Sequence, residues 1–446
     1  MRTDLRLALL LTRGSDRREW WRVTLTAVGA ALATALCLAA VAIASLRSQY
    51  SMTLAAGLLN RPGERAGVVL TLLLLLVPVL GFLGQCARIG AVHRDRRLAG
   101  LRLAGASPAQ VRRIAALEAG LACLIGSAVA TVFSALILLH QWQTPPAAVW
   151  AGFAGVALVA PVVGVLVSTL ALRRVVASPL GWVRRVRPSG GRGPGIAVLV
   201  TALVMLLTGL AIAPRSFGRI APAPVLVFTV VILTGLGAIW AVGASARLTG
   251  RLLAERTGNP ATLIAAERLR DDPWAGARTH AAVLLVTVVG TGFVGVRQVL
   301  LDDITGRDPD ARYESLSFYT TGIDLTGAAI LLALAITLSG LAVGTAESLA
   351  TRRRGLAAQA AAGVPQSVLG RALLLETALP LAPAVALAGA GGLGISVGYG
   401  HFSGGGMVPV LPVVVPLAVY AACLLAAATS LPLLRRSVRP AELRHQ

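Results

Sequence analysis

Apolar residues along this chain gather in long unbroken runs, not in the alternating or three-to-four spacing of water-soluble elements. Ten runs approach or exceed the ~20 residues that a helix needs to cross a bilayer: 23–46, 66–86, 114–139, 147–172, 196–213, 222–243, 281–301, 323–345, 372–397 and 411–434. In lipid each backbone group has to be bonded within its own segment, so the expected spanning form is the α-helix. The first run is too long for a signal-peptide core and no clear cleavage site follows it, so it is read as a retained helix. The pattern predicts an all-α integral membrane protein of about ten transmembrane helices.

The polar positions orient those helices. Of 41 basic residues, 33 fall in segments 1–22, 87–113, 173–195, 244–280, 346–371 and 435–446, and seven fall in the intervening loops. Positive charge collects on the cytoplasmic side, which places these segments and both termini there. Trp20, Trp21, Trp142, Trp150 and Trp240 stand at the ends of runs, where amphipathic rings favour the headgroup level. The loops on the other side are short, so no folded extracellular domain is expected.

Composition agrees and removes several chemistries. The chain is 56% hydrophobic and 13% charged, whereas a soluble domain carries about 25% charged residues. A net charge of +22 would suggest nucleic acid in a soluble protein. Here the arginines sit in clusters between apolar runs, which suits anionic lipid and not nucleic acid. Every basic residue is arginine, with no lysine. A phosphate-binding Walker A loop and a Schiff-base enzyme both need lysine, so any ATP-hydrolysing part is another polypeptide. Cys37, Cys86, Cys123 and Cys423 lie far apart in or beside apolar runs and read as packing residues, with no metal-ligand spacing.

Two of the basic segments resemble each other. A shift of 258 residues aligns Arg94 with Arg352, Arg96 with Arg354, Gly105 with Gly363, Arg113 with Arg371 and Glu118 with Glu376. The same shift lays Leu5 on Leu263 and the first run on the seventh. Runs one to four therefore match runs seven to ten, in the same orientation, because an even number of spans separates the copies. The expected layout is a first repeat over 1–172, a linker with two spans over 173–262, and a second repeat over 263–446.

The repeated segment has the makings of an elbow. Arg94, Arg96 and Arg97 are followed by Leu98, Leu101 and Leu103, then by Gly105, a usual stop just past a helix. After Ala106, Ser107 is a good N-cap and Pro108 suits the first helical position. Arg112 and Arg113 then lead into the next span, which carries Glu118. The expected unit is a short surface helix, a sharp turn and a spanning helix, able to pass a push from a cytoplasmic partner into the membrane. The second copy runs from Arg352, Arg353 and Arg354 through Gly363, Val364 and Pro365 to Arg371 and Glu376. Glu118 and Glu376 are expected to pair with arginines of the same surface rather than to relay protons.

The run of basic residues, Leu-x-x-Leu-x-Leu-Ala-Gly-Ala-Ser, further basic residues and Leu-Glu entering a span, from Arg96 to Glu118, resembles the FtsX-like permease family of ABC transporters. The ten-helix, two-copy layout is similar to its peptide-antibiotic-export branch. That resemblance implies a permease subunit, with no catalytic residue and no cofactor of its own, in a bacterial plasma membrane. A separate cytoplasmic ATPase, in two copies, would bind ATP and Mg and dock on the two elbows. It would drive movement or extraction of an amphipathic substrate. The chain departs from the family pattern in two ways. The gaps 47–65 and 302–322 are short where many relatives insert a large extracellular domain, and Val364-Pro365 stands in place of Ala106-Ser107. Two other classes, an ion-driven secondary transporter and a non-transporting membrane scaffold, remain open from the residues. Mid-span positions are nearly free of charge, which argues against the first. Arg297 reads as a headgroup-seeking or Asp302-paired residue, and the acidic stretch from Asp302 to Glu314 as a solvated loop.

Overall fold

The computed structural model describes residues 17–46, 54–86, 100, 103–142, 145–176, 223–306, 315–402 and 410–437. Among these residues all regular structure is helical. Twelve α-helices are described: α1 (Arg17–Ala44), α2 (Pro62–Cys86), α3 (Pro108–Gln141), α4 (Ala147–Val176), α5 (Ala223–Arg256), α6 (Pro260–Asp271), α7 (Ala275–Gly306), α8 (Leu316–Thr351), α9 (Arg353–Ala361), α10 (Gln366–Phe402), α11 (Val414–Ala428) and α12 (Leu431–Ser437). Short 3₁₀ turns precede α2, at Leu54–Gly57, and α11, at Leu411–Val413.

Seven stretches are long and apolar enough to cross a membrane: Val23–Ala44, Pro62–Cys86, Ala116–Gln141, Thr279–Gly306, Leu316–Thr351, Gln366–His401 and Leu411–Leu434. They coincide with seven of the ten runs read from the sequence. The described apolar part of α4 is shorter, Ala147–Val163. The run at 222–243 forms the first part of α5, and the run at 196–213 lies outside the described residues. The protein is thus a membrane protein, all-helical among the described residues, with several spanning-length helices.

Packing divides the chain into two compact units, Met1–Arg187 with Ser317–Ala329, and Pro188–Leu316 with Ile330–Gln446. In the first unit, α1 packs against α2, α3 and α4, and α3 against α4. Its described core joins Leu38, Leu138, Val149 and Phe153. Small residues permit the closest approach: a Cβ on Gly126 of α3 would fall on the carbonyl oxygen of Ala27 in α1. The turn from α1 to α2 is pinned by Arg65, which is buried and donates from Nε to the carbonyl of Leu59 at 2.7 Å and from Nη2 to that of Asn60 at 2.9 Å. Along α3, Phe133, Leu136 and Ile137 are exposed, as side chains are where lipid is the solvent.

In the second unit, α7 packs against α5, α10 and α11, and α10 against α5, α6 and α11. Over half of the spanning stretch of α7 is buried, against under a third for α3, so α7 is an interior helix of its unit. The core gathers Val242 of α5, Leu284 and Val288 of α7, Leu341 of α8, Leu381 and Ala388 of α10 and Cys423 of α11. Gly392 of α10 lies so near α7 that a Cβ there would meet the carbonyl oxygen of Val288 at 2.7 Å. Lipid offers no hydrophobic drive between helices, so intimate contact of this kind carries the association.

Candidate functional site

The second elbow is described throughout. Helix α8 ends at Thr351, Arg352 turns the chain, and α9 follows for nine residues. It closes with two hydrogen bonds: the Val364 N–H donates to the Gln359 carbonyl at 3.1 Å, and the Gly363 N–H to the Ala360 carbonyl at 2.9 Å. This is the Schellman arrangement, and it needs a left-handed residue at Gly363, whose φ is +90°. The Pro365 carbonyl then accepts from Val368 and Leu369 and starts α10. Gly363→Val is expected to cost roughly 1–2 kcal/mol, the penalty for a Cβ in the left-handed region. Thermal unfolding in detergent, with wild type beside it, measures the loss.

The elbow has a core of its own. Leu349 from α8, Leu356 from α9, Leu369 and Leu373 from α10 and Leu434 from α12 are buried together, with Ile264 of α6 and Val364 against them. Val364, one of the departures from the family pattern, is thus an apolar contact of the Schellman turn. The elbow is a packed corner continuous with α10.

Charge closes the corner from another side. Arg352 Nη1 donates to Glu376 Oε1 at 2.7 Å, and Arg268 Nη1 lies 3.4 Å from Glu376 Oε2. Arg268 Nη2 also donates to Gln359 Oε1 at 3.4 Å. The side chains of Arg268 and Glu376 are mostly buried, and that of Arg352 is about one-third exposed. Arg353 is half-buried, whereas Arg354 and Arg371 are exposed, with Pro365 exposed between them.

The first elbow is described from Leu103 onward, with Gly100 before it. Gly105 has φ +96° and the Ala104 N–H donates to the Gly100 carbonyl at 3.0 Å. Ser107 caps α3 reciprocally: its Oγ accepts from the Gln110 N–H at 3.2 Å, and its own N–H donates to Gln110 Oε1 at 2.8 Å. This is a capping box with glutamine in the third position, and Pro108 takes the first helical place. Ala106 is half-buried, Arg113 is exposed and Glu118 is buried. Arg112 lies in α3 with its side chain outside the described residues, as are Arg94, Arg96, Arg97 and Leu101 altogether.

Of the residues singled out in the sequence, the structure brings Arg352 and Glu376 into contact. Sequence reading missed Arg268 and Gln359. A signal existed: Asn259-Pro260 is a cap followed by a first-turn proline, and Ala261, Ala265 and Leu269 repeat at helical spacing, so a buried-faced α6 was legible. That its Arg268 reaches Glu376, 108 residues away, was not. Elsewhere, Arg297 is exposed on α7, and no three His, Cys, Asp or Glu side chains converge among the described residues.

Comparison with known families places a match on part of this architecture. Residues 67–180 match the model of the FtsX-like permease C-terminal domain. That stretch holds most of α2, the first elbow, α3 and α4. No curated protein matches the chain.

Proposed function

We propose that this chain, a membrane protein carrying an FtsX-like permease domain, is the permease subunit of an ABC transporter. A separate cytoplasmic ATPase, present twice, binds ATP and Mg and docks on the elbows around Gly105 and Gly363. Hydrolysis there is coupled to transport or extraction of an amphipathic substrate through the spanning helices. The elbows and both termini lie on the cytoplasmic side of a bacterial plasma membrane.

The observation that carries this reading is the Gly363 corner. A nine-residue surface helix with its own apolar core and a glycine-closed turn, continuous with a spanning helix, is built to transmit a push. Duplication of the four-helix block is supported by shared packing: α1 against α3 and α3 against α4 in one unit, α7 against α10 and α10 against α11 in the other. Left-handed glycines at the two positions 258 residues apart support it further.

At the second elbow the docking contacts fall to the exposed Arg354 and Arg371 and to the Gly363 turn. At the first elbow they fall to Arg96, Arg97, Arg112 and Arg113. Changing these four arginines to glutamate is expected to reduce co-purification of the partner ATPase by roughly tenfold or more, since close opposite-charge pairs across an interface become like-charge pairs. Retained complex and retained stimulation of ATP hydrolysis would remove the docking proposal.

A further inference from the structure

Arg268 lies outside the elbow segment itself, yet its guanidinium touches two helices of the second elbow. We propose that Arg268 is a positioning residue: its guanidinium clamps α9 to the foot of α10 and ties both to α6, so that the elbow, α6 and α5 move as one lever. This rests on the reading that the elbow receives force from an ATPase.

The geometry is that of a fork. One Nη reaches Glu376 Oε2 on α10 and the other reaches Gln359 Oε1 on α9, each at 3.4 Å. Glu376 keeps its other oxygen for Arg352, so both carboxylate oxygens are held, by arginines from different parts of the chain. Lysine, a single ammonium on a flexible stem, lacks the planar fork that serves two acceptors in fixed directions. The clamp is also largely withdrawn from water, with side-chain exposures of 17% for Arg268 and 18% for Glu376, so it is not an ordinary solvated surface pair.

The far end of the clamp is anchored. Helix α6 lies against α5 so closely that a Cβ on Gly250 would stand 3.0 Å from the Ala266 carbonyl oxygen and 3.1 Å from the Arg270 nitrogen. Helix α5 has 34 residues, about 51 Å at 1.5 Å per residue, against a hydrocarbon core of about 30 Å. It therefore has length both to span and to extend beside α6. A displacement of α9 passes directly into α10 and, through Arg268, into α6 and α5. The sequence gives this arrangement to one copy alone: 258 residues earlier, Leu10 stands at the place of Arg268 and Leu101 at that of Gln359.

The test uses the full chain in lipid nanodiscs, alone and with its ATPase. In the chain alone, Arg268→Ala is expected to speed amide exchange across residues 353–363 by roughly tenfold, a local opening, with residues 414–428 unchanged. Adding Gln359→Ala should produce little further acceleration, because both changes cut the same tie. With the ATPase, Arg268→Ala should still form the complex. Permease-stimulated turnover should fall about tenfold with KM for ATP unchanged, and Arg268→Lys should recover only part of it. Wild-type exchange over 353–363 together with wild-type stimulation in Arg268→Ala overturns the proposal, as does full recovery by lysine. If the unaltered chain neither binds nor stimulates an ATPase, the transporter reading fails, while the exchange measurement still decides whether Arg268 holds the elbow.

Discussion

Gly126→Leu is expected to disrupt the first unit. The glycine of α3 faces α1 at a point where a single added Cβ would overlap the Ala27 carbonyl oxygen and approach the Ala27 carbonyl carbon at 2.8 Å. The obstructing atoms are backbone, which cannot rotate aside as a side-chain end does. The two helices have to separate, and separation sacrifices the contacts that hold α1 to α3 in a solvent that supplies no hydrophobic drive of its own. Overpacking of a tight interior commonly costs about 1–3 kcal/mol, and a leucine against backbone belongs at or above the top of that range. Gly155 of α4 is the control. It is exposed, nothing lies within 4 Å of an added Cβ, and Gly155→Leu should be neutral. Thermal unfolding in detergent of the two variants beside wild type makes the comparison. Equal midpoints for Gly126→Leu and Gly155→Leu would remove the close approach of α1 and α3 from the account.

The second large effect is expected at Glu376. Removing the carboxylate in Glu376→Ala leaves Arg268 and Arg352 facing each other with no acceptor between them. For a fully buried pair, loss of one partner costs about 3–5 kcal/mol. Side-chain exposures of 17% and 36% for the two arginines let water take up part of the debt, which brings the expected loss to roughly 2 kcal/mol. The mechanism separates this from simple loss of packing. In the Glu376→Ala background, Arg268→Leu should regain stability, because it removes one of two stranded charges, whereas in wild type the same change should lower it. Chemical or thermal unfolding of the four proteins of this cycle reads the sign directly. Additive losses would mean that Arg268 and Glu376 do not act as a pair.

These predictions bear on different levels of the proposed transporter. Gly126 concerns whether a four-helix block holds together. Glu376 and Arg268 concern whether a push on a surface helix reaches the block as displacement or is lost in local opening. A permease can fold and bind its ATPase and still fail at the second level, which is why complex formation and stimulated turnover have to be measured apart.

Much of this architecture was legible in the amino-acid order. Long apolar runs determine helices that cross a bilayer, since no other open element satisfies its backbone there, and seven of the expected runs stand as spanning-length helices. The turns at Gly105 and Gly363 were legible too: a left-handed helix stop is local chemistry, determined by glycine within a few residues. The capping of α3 by Ser107 is equally local, although the reciprocal bond from Gln110 shows only in the structure. What the order could not disclose is which distant surfaces meet. Val364, which in sequence is only a departure from Ala106 of the first copy, lies against the leucine core of the elbow. In sequence Arg268 is one of six arginines in the basic segment 244–280. Its role comes from the fold of α6 against α5, which brings it to Glu376 across 108 residues of chain. Periodicity and caps depend on neighbours in sequence, and charge sums depend on composition. Pairing depends on the path of the backbone through space, and that path is a property of the packed whole.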